Sequence, residues 1–340
     1  MVKDQKDNKT EGSETKSRTN HRKASELVSE PTEDRDSERF SSELGRSLDE
    51  AESHIQAKVK EVPNALETWH RAREVVEKLK PVPWFVWRIS NYVFSRSGQI
   101  NPVPEGMVIG LRRLLFAAAS DPVLGSGNPV SNLRVALGLV RSDVIAAVSV
   151  IHAVCRKLAT REFERIWRPI IDDALLRAQI GFFIGGRSES FGPGRGMLAG
   201  FSGRAGLAIL IATGDLEQAR GALEELASGR DIGAVGLEIY GCDPLQVSAL
   251  LLSVSGCGKD AAFGVVSYVS KEGVADLASP EQRSWLACFG VCEKVRTGLA
   301  DELTSEQWDI LDYANKEDRS QLIDMARGLV REGSSWDWIA

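Results

Sequence analysis

Met197-Leu-Ala-Gly-Phe-Ser-Gly-Arg-Ala-Gly-Leu-Ala-Ile-Leu-Ile-Ala212, followed after a polar interval by Tyr240-Gly-Cys-Asp-Pro-Leu-Gln-Val-Ser-Ala-Leu-Leu-Leu252, is the stretch that decides the fold. Neither run alternates apolar and polar residues as a half-buried strand does. Between them, Asp215 stands three residues before Gln218, and the second run opens on Asp243 with Gln246. At such a start the short polar side chain accepts a hydrogen bond from a free first-turn amide, and the Gln reaches back to the cap. Ser279 with Gln282 and Thr304 with Gln307 repeat the pattern. Pro244 and Pro280 follow their caps at the first helical position, where a missing amide hydrogen costs nothing. Upstream, Val144, Ile145, Val148, Ile151, His152, Cys155 and Leu158 recur at spacings of three and four and make one broad apolar face. The expected fold class is therefore all-α, a compact helical domain with flanking helices.

Outward from this core the composition changes. Residues 1–60 are rich in Lys, Glu, Asp, Ser and Thr, and Phe40 is the only aromatic among them. Such a segment buries too little apolar surface to offset its ordering entropy, so a disordered polar tail is expected over 1–60, with 41–60 able to form a solvated helix. Order is expected from near Pro63, where Leu66, Trp69 and Val75 appear, and the paired prolines of Leu79-Lys80-Pro81-Val82-Pro83-Trp84 mark an entry turn. The expected organisation is a tail over 1–60, a helical domain over 63–290 and a C-terminal helical extension over 291–340.

With 340 residues, 43% of them hydrophobic and 26% charged, the chain has the means to bury a sizeable core. A net charge of -6 without a basic stripe argues against nucleic acid as a partner. The reading finds no apolar leader and no stretch long enough to span a bilayer, which implies a cytoplasmic protein without membrane contact. Cys155, Cys242, Cys257, Cys288 and Cys292 are scattered and odd in number, as reduced thiols are. Cys288 and Cys292 share a helix face, but without a second pair they read as packing rather than as zinc ligands.

The two core runs resemble the HDOD family, all-helical output modules related to metal-dependent HD phosphohydrolases. Asn128-Pro-Val-Ser-Asn-Leu-Arg-Val-Ala-Leu137 is similar to a helix start of that family, and Ile166-Trp167-Arg168-Pro169 to its Leu-Trp-Arg-His element. Leu79 to Trp84 resembles the opening motif, so the likeness runs from Leu79 to Tyr268 in order. It implies a compact helical HDOD-like domain and a role in signal transduction.

Where this sequence departs from the family, the departures fall on the metal ligands. Carried over residue by residue, the ligand histidines and the aspartate fall on Pro169, Gly203, Arg204 and Pro244, and the final pair falls on Ser267 and Tyr268. Proline and glycine side chains have no donor atom. Of the four histidines, His21 and His54 lie in or beside the tail, His70 on an entry helix and His152 on an apolar face, and none is paired with a carboxylate at ligand spacing. The carboxylate pair Asp172-Asp173 consists of helix neighbours that point about 100° apart. No metal and no cofactor is expected.

Other chemistry is sparse. The glycine run Gly192-Pro-Gly194-Arg-Gly196 has the wrong spacing for a dinucleotide or phosphate loop. Gly256-Cys257-Gly258-Lys259-Asp260 lacks the hydroxyl and the upstream glycine of a Walker loop and reads as a helix-ending turn. Gly200 and Gly206 read as points of close backbone approach. No nucleophile motif is present. Trp336-Asp-Trp338-Ile339 either docks on the domain or forms a recognition element, with docking favoured.

The expected function is that of a regulatory, non-enzymatic signalling module acting on an unknown protein partner. The alternative is a sensor whose vacated metal cleft binds an anionic nucleotide or phosphate through Arg204 and Arg195. Asp172 and Asp173 are the carboxylates available to pair with Arg204. The segment Gly185 to Gly206 is expected to lie over that cleft and join the recognition surface.

Overall fold

The structure is a computed structural model that describes residues 65–95, 100–269 and 273–340, with helical positions between Ser41 and Ser53. Residues 44–340 form one compact unit. Fifteen α-helices follow one another, and no strand occurs among the described residues. The first five are α1 (Ala65–Leu79), α2 (Trp84–Phe94), α3 (Glu105–Val108), α4 (Arg112–Ser120) and α5 (Leu133–Leu139). The central five are α6 (Ser142–Leu158), α7 (Glu164–Arg187), α8 (Pro193–Thr213), α9 (Leu216–Ala227) and α10 (Ile232–Tyr240). Then come α11 (Pro244–Leu252), α12 (Lys259–Val266), α13 (Pro280–Thr297), α14 (Ser305–Ile310) and α15 (Lys316–Glu332).

The opening run of the sequence is α8, and its composition explains its place. Apart from Arg195, Ser202, Arg204 and Thr213 its residues are apolar or glycine, so nearly all of it must be covered. It packs against α7, α11, α6 and α13. Leu198, Leu207, Ile209, Leu210 and Ile211 are at most 2% exposed, and such burial contributes about 1.5–3 kcal/mol per side chain. By length and composition alone α8 qualifies as a membrane span, which corrects the expectation that no stretch is long enough. Yet 89% of its apolar window is buried inside the fold, where neighbouring helices take the place of lipid.

Glycines set how closely these helices approach. A Cβ at Gly200 would lie 2.0 Å from the Arg177 carbonyl oxygen on α7, and one at Gly206 would lie 1.9 Å from that of Pro244 on α11. Gly206 N–H also donates to Ser248 Oγ at 3.0 Å, and that hydroxyl donates to the Ser202 carbonyl at 2.6 Å. The glycine-rich segment therefore does not lie over a cleft as a loop. From Gly194 to Gly206 it is buried helix, except for half-buried Arg204.

Capping holds at Asp215, Asp243 and Thr304, each with its reciprocal Gln. It fails at Ser279, whose side chain makes no cap bond. There Gln282 donates to Asp260 at 2.7 Å instead, tying α13 to α12. The turn at 256–258 is as expected, with Gly256 at φ 82° and Gly258 at φ 86°, in the left-handed region that suits glycine.

Most of the expected tail lies outside the described residues. Within its bounds, however, Leu48 is fully buried and Asp49 accepts from Arg73 at 2.8 Å, so packing starts before Pro63. The expected division at 290/291 falls inside the continuous helix α13. The C-terminal segment docks. Trp336 is fully buried and meets Phe182 edge-on at 5.8 Å, Trp338 Nε1 donates to Asp121 at 3.1 Å, and His152 Nδ1 lies 2.6 Å from the Ile339 carbonyl oxygen. All five cysteines are buried and free. Burial pushes the Cys155, Cys242 and Cys257 thiols up to about 12, so they stay protonated.

Candidate functional site

Three helices bring charged side chains together around Gly203 and Arg204. Helix α7 supplies Asp173 and, one turn on, Arg177; α8 supplies Gly203 and Arg204; α13 supplies Glu293 and Arg296. Arg177, its side chain 2% exposed, donates through Nε to Asp173 Oδ2 at 2.8 Å and through Nη1 to Glu293. Arg204 brings Nε within 3.2 Å of Asp173 Oδ2 and Nη1 within 3.5 Å of Glu293 Oε2. Arg296 places both Nε and Nη2 at 2.8 Å from Asp173 Oδ1.

Gly203 makes this arrangement possible. A Cβ at this position would stand 2.5 Å from Glu293 Oε1, so the absent side chain leaves the volume that the carboxylate fills. Tyr268 closes one side, with its ring 5.0 Å from that of Phe289 and edge-on to it. Burial raises its hydroxyl pKa, and Glu293 adds to the shift. Ser267 beside it is buried. Pro169 lies one turn before Asp173 on α7, and Pro244 packs on α8 at Gly206, one turn beyond Gly203.

The electrostatics follow from burial and pairing. Burial alone would raise the Asp173 carboxyl, but Arg177, with Arg204 and Arg296 behind it, outweighs this and holds it below the usual carboxylate value. Burial lowers the Arg204 guanidinium somewhat, opposed by Glu293, and it remains a cation because arginine starts so high. Three guanidiniums thus face two carboxylates, leaving one positive charge in excess.

A divalent metal does not fit this donor set. Among the described residues no group of three or more His, Cys, Asp or Glu side chains converges. Asp173 and Glu293 already accept from arginines that would repel a cation.

The expected ligand surface divides into separate parts. Arg204 and Asp173 meet in the cluster. Asp172 points elsewhere and pairs with Arg168 at 2.9 Å on an exposed face. Arg195 is nine residues before Arg204 on the same helix, about 13 Å along its axis, and is only 1% exposed. It is enclosed by the Phe191 carbonyl at 3.1 Å, Glu281 at 3.5 Å and the Phe94 ring at 5.1 Å, so it serves no open surface. The residues missed by sequence reasoning are Arg177, Glu293 and Arg296. Only Arg177 carried a signal, its four-residue spacing from Asp173.

The all-helical arrangement is that of the HDOD fold, as comparison with solved structures shows. An HDOD domain protein of unknown function from Geobacter sulfurreducens matches with a TM-score of 0.58 at 15% identity, over 78% of this chain and 95% of that one. A provisionally named phosphohydrolase from Shewanella amazonensis matches with a TM-score of 0.50 at 16% identity, over 75% and 93%. A provisionally named signal transduction protein from Marinobacter aquaeolei matches with a TM-score of 0.53 at 14% identity, over 75% of this chain and 59% of that one. No family model and no curated relative matches the sequence.

Proposed function

We propose that this chain is a non-catalytic regulatory module of signal transduction, working through contacts with a protein partner. The observation that carries the reading is the arginine–carboxylate cluster of Asp173, Arg177, Arg204, Glu293 and Arg296, which takes up the cleft where a phosphohydrolase of this fold would hold its metals. A buried network of this kind fixes one arrangement of α7, α8 and α13 and leaves no ligand set to activate water. The signalling role is favoured by the HDOD and signal-transduction proteins that share the fold. The test is elemental analysis of purified protein after dialysis, together with hydrolysis of bis(p-nitrophenyl) phosphate in the presence of added manganese. The expected result is neither retained metal nor turnover; one or two bound metals per chain with metal-dependent turnover would overturn the reading.

The excess positive charge of the cluster favours a second reading, in which the module senses an anion at the cleft through Arg204. Arg296 is the cluster's most exposed guanidinium, with 30% of its side chain accessible. On this reading an anionic metabolite stabilises the protein by mass action, and Arg204→Gln abolishes the shift in Tm.

A further inference from the structure

The C-terminal end of α13 and one face of α15 flank an open surface groove of about 600 Å³. Val295 and Val330 supply apolar wall, and Arg296, Arg327 and Arg331 supply charge, against which Asp324 is the only carboxylate lining it. Arg296 is already held by Asp173, so Arg327 and Arg331 against Asp324 leave the groove an excess of one positive charge in a chain whose net charge is -6.

The two α15 guanidiniums are poorly neutralised. Arg327 reaches Asp324 at 3.2 Å, but both side chains are at least 70% exposed, and a pair so solvated contributes little. Arg331 stands one turn beyond Arg327 on the same face of α15 and pairs with no carboxylate among the described residues. Two like charges at that spacing repel. At the carbonyl end of α13, two of the carbonyls are taken up within the chain: Leu299 N–H donates to the Lys294 oxygen at 2.7 Å and Gly298 N–H to that of Val295 at 3.3 Å.

We infer that this groove binds a phosphate monoester of about mononucleotide size, with Arg327 and Arg331 on the phosphate and Val295 and Val330 against its apolar part. Two guanidinium forks offer the bidentate geometry that phosphate oxygens accept, and an open groove of this volume has room for an ester of that size. Exposed Val330, 39% accessible, gives an aromatic or heterocyclic substituent a surface to cover. Arg296 belongs to both places, since it lines the groove and holds Asp173, so occupancy of the groove reaches the cleft through one side chain. The inference does not depend on whether the cleft is catalytic.

The test is isothermal titration of the full chain at low ionic strength with phenyl phosphate, inorganic phosphate and adenosine 5′-monophosphate. Phenyl phosphate and the nucleotide are expected to bind saturably at one per chain and more tightly than inorganic phosphate. Arg327→Gln and Arg331→Gln are each expected to weaken binding about tenfold, the loss of one charge-assisted contact, with Tm unchanged. Arg113→Gln, exposed on α4, serves as the control and keeps full affinity. Absence of saturable binding by all three probes at millimolar concentration overturns the inference. So does binding that survives both α15 variants, and Arg204→Gln together with intact α15 arginines separates a groove ligand from a cleft ligand.

Discussion

Arg204 Nε lies 3.2 Å from Asp173 Oδ2, an ion pair between α8 and α7 with only 16% and 21% of the two side chains exposed. The Asp173 carboxylate meets three guanidiniums, those of Arg177, Arg204 and Arg296. The cluster therefore belongs to the folding energetics of the protein, with consequences for single substitutions.

Arg204→Ala removes one partner from a mostly buried network and leaves Glu293 and Asp173 less neutralised. The expected loss is about 2–4 kcal/mol, the scale of breaking a buried ion pair from one side. Asp172→Ala removes only the exposed contact with Arg168 and should cost no more than about 0.5 kcal/mol. Urea denaturation of the two variants checks the contrast. Equal costs would mean that the two adjacent aspartates occupy equivalent environments.

Acid should weaken the protein through Asp173. Its folded-state value lies below its ordinary value because the arginines outweigh burial. A group depressed in this way contributes stability above its unfolded value, and the contribution is lost as pH falls through the folded value. Asp243 works in the opposite sense. Burial raises it, so its ionisation costs stability at neutral pH and that cost fades in acid. Asp173→Asn is thus expected to be less stable than the parent at pH 7 and to lose less on going from about pH 5 to pH 3. Parallel denaturation midpoints over that window would contradict the assignment.

Trp336 is fully buried against Phe182, and its segment is clasped by Gln179, whose Oε1 accepts from Ser334 Oγ at 3.0 Å and from Ser335 N–H at 3.3 Å. Trp336→Ala should cost about 3–5 kcal/mol, as for other buried tryptophans cut to alanine. Trp338→Phe loses the bond to Asp121 and a little packing and should cost about 0.5–1.5 kcal/mol. Thermal melts of both variants measure the order. A Trp336→Ala variant as stable as the parent would mean that the segment adds nothing to the fold.

The helical core was legible because its signals are local. The caps at Asp215, Asp243 and Thr304 and the largely apolar character of α8 each act within one or two turns, and tertiary contacts agree with them. At Ser279 no cap bond forms, and the Gln282 side chain donates to Asp260 instead of reaching back, a contact between helices that no cap motif encodes. The site was half legible. Gly203, Arg204 and Asp173 lie within the stretch that resembles the family, but Glu293 and Arg296 stand beyond Tyr268 on α13, where nothing in the sequence points back to the cleft. Asp172 and Asp173 look alike in the chain, and only the phase of α7 separates them. The burial of Arg195 depends on Phe94, Phe191 and Glu281 closing around it from distant positions.

Gly203 gives the sharpest test of the cluster, because helix propensity and packing predict opposite signs there. In an unconstrained helix interior, alanine is favoured over glycine by about 0.8–1.0 kcal/mol. Here the added Cβ would meet Glu293 Oε1 at 2.5 Å, and Glu293 is held by Arg177 and Arg204. The carboxylate has to shift and give up part of its pairing, so Gly203→Ala is expected to destabilise by about 1–3 kcal/mol, the usual cost of overpacking. Glu293→Ala alone should also destabilise, since Arg177 is left buried with one partner fewer. In the Glu293→Ala background the clash is gone and the propensity term remains, so adding Gly203→Ala should then be neutral or stabilising. The double-mutant cycle should return a coupling of about 0.5–3 kcal/mol. Additive effects would show that Glu293 does not fill the space left by the missing side chain, and the account of why this position is glycine would fall with them.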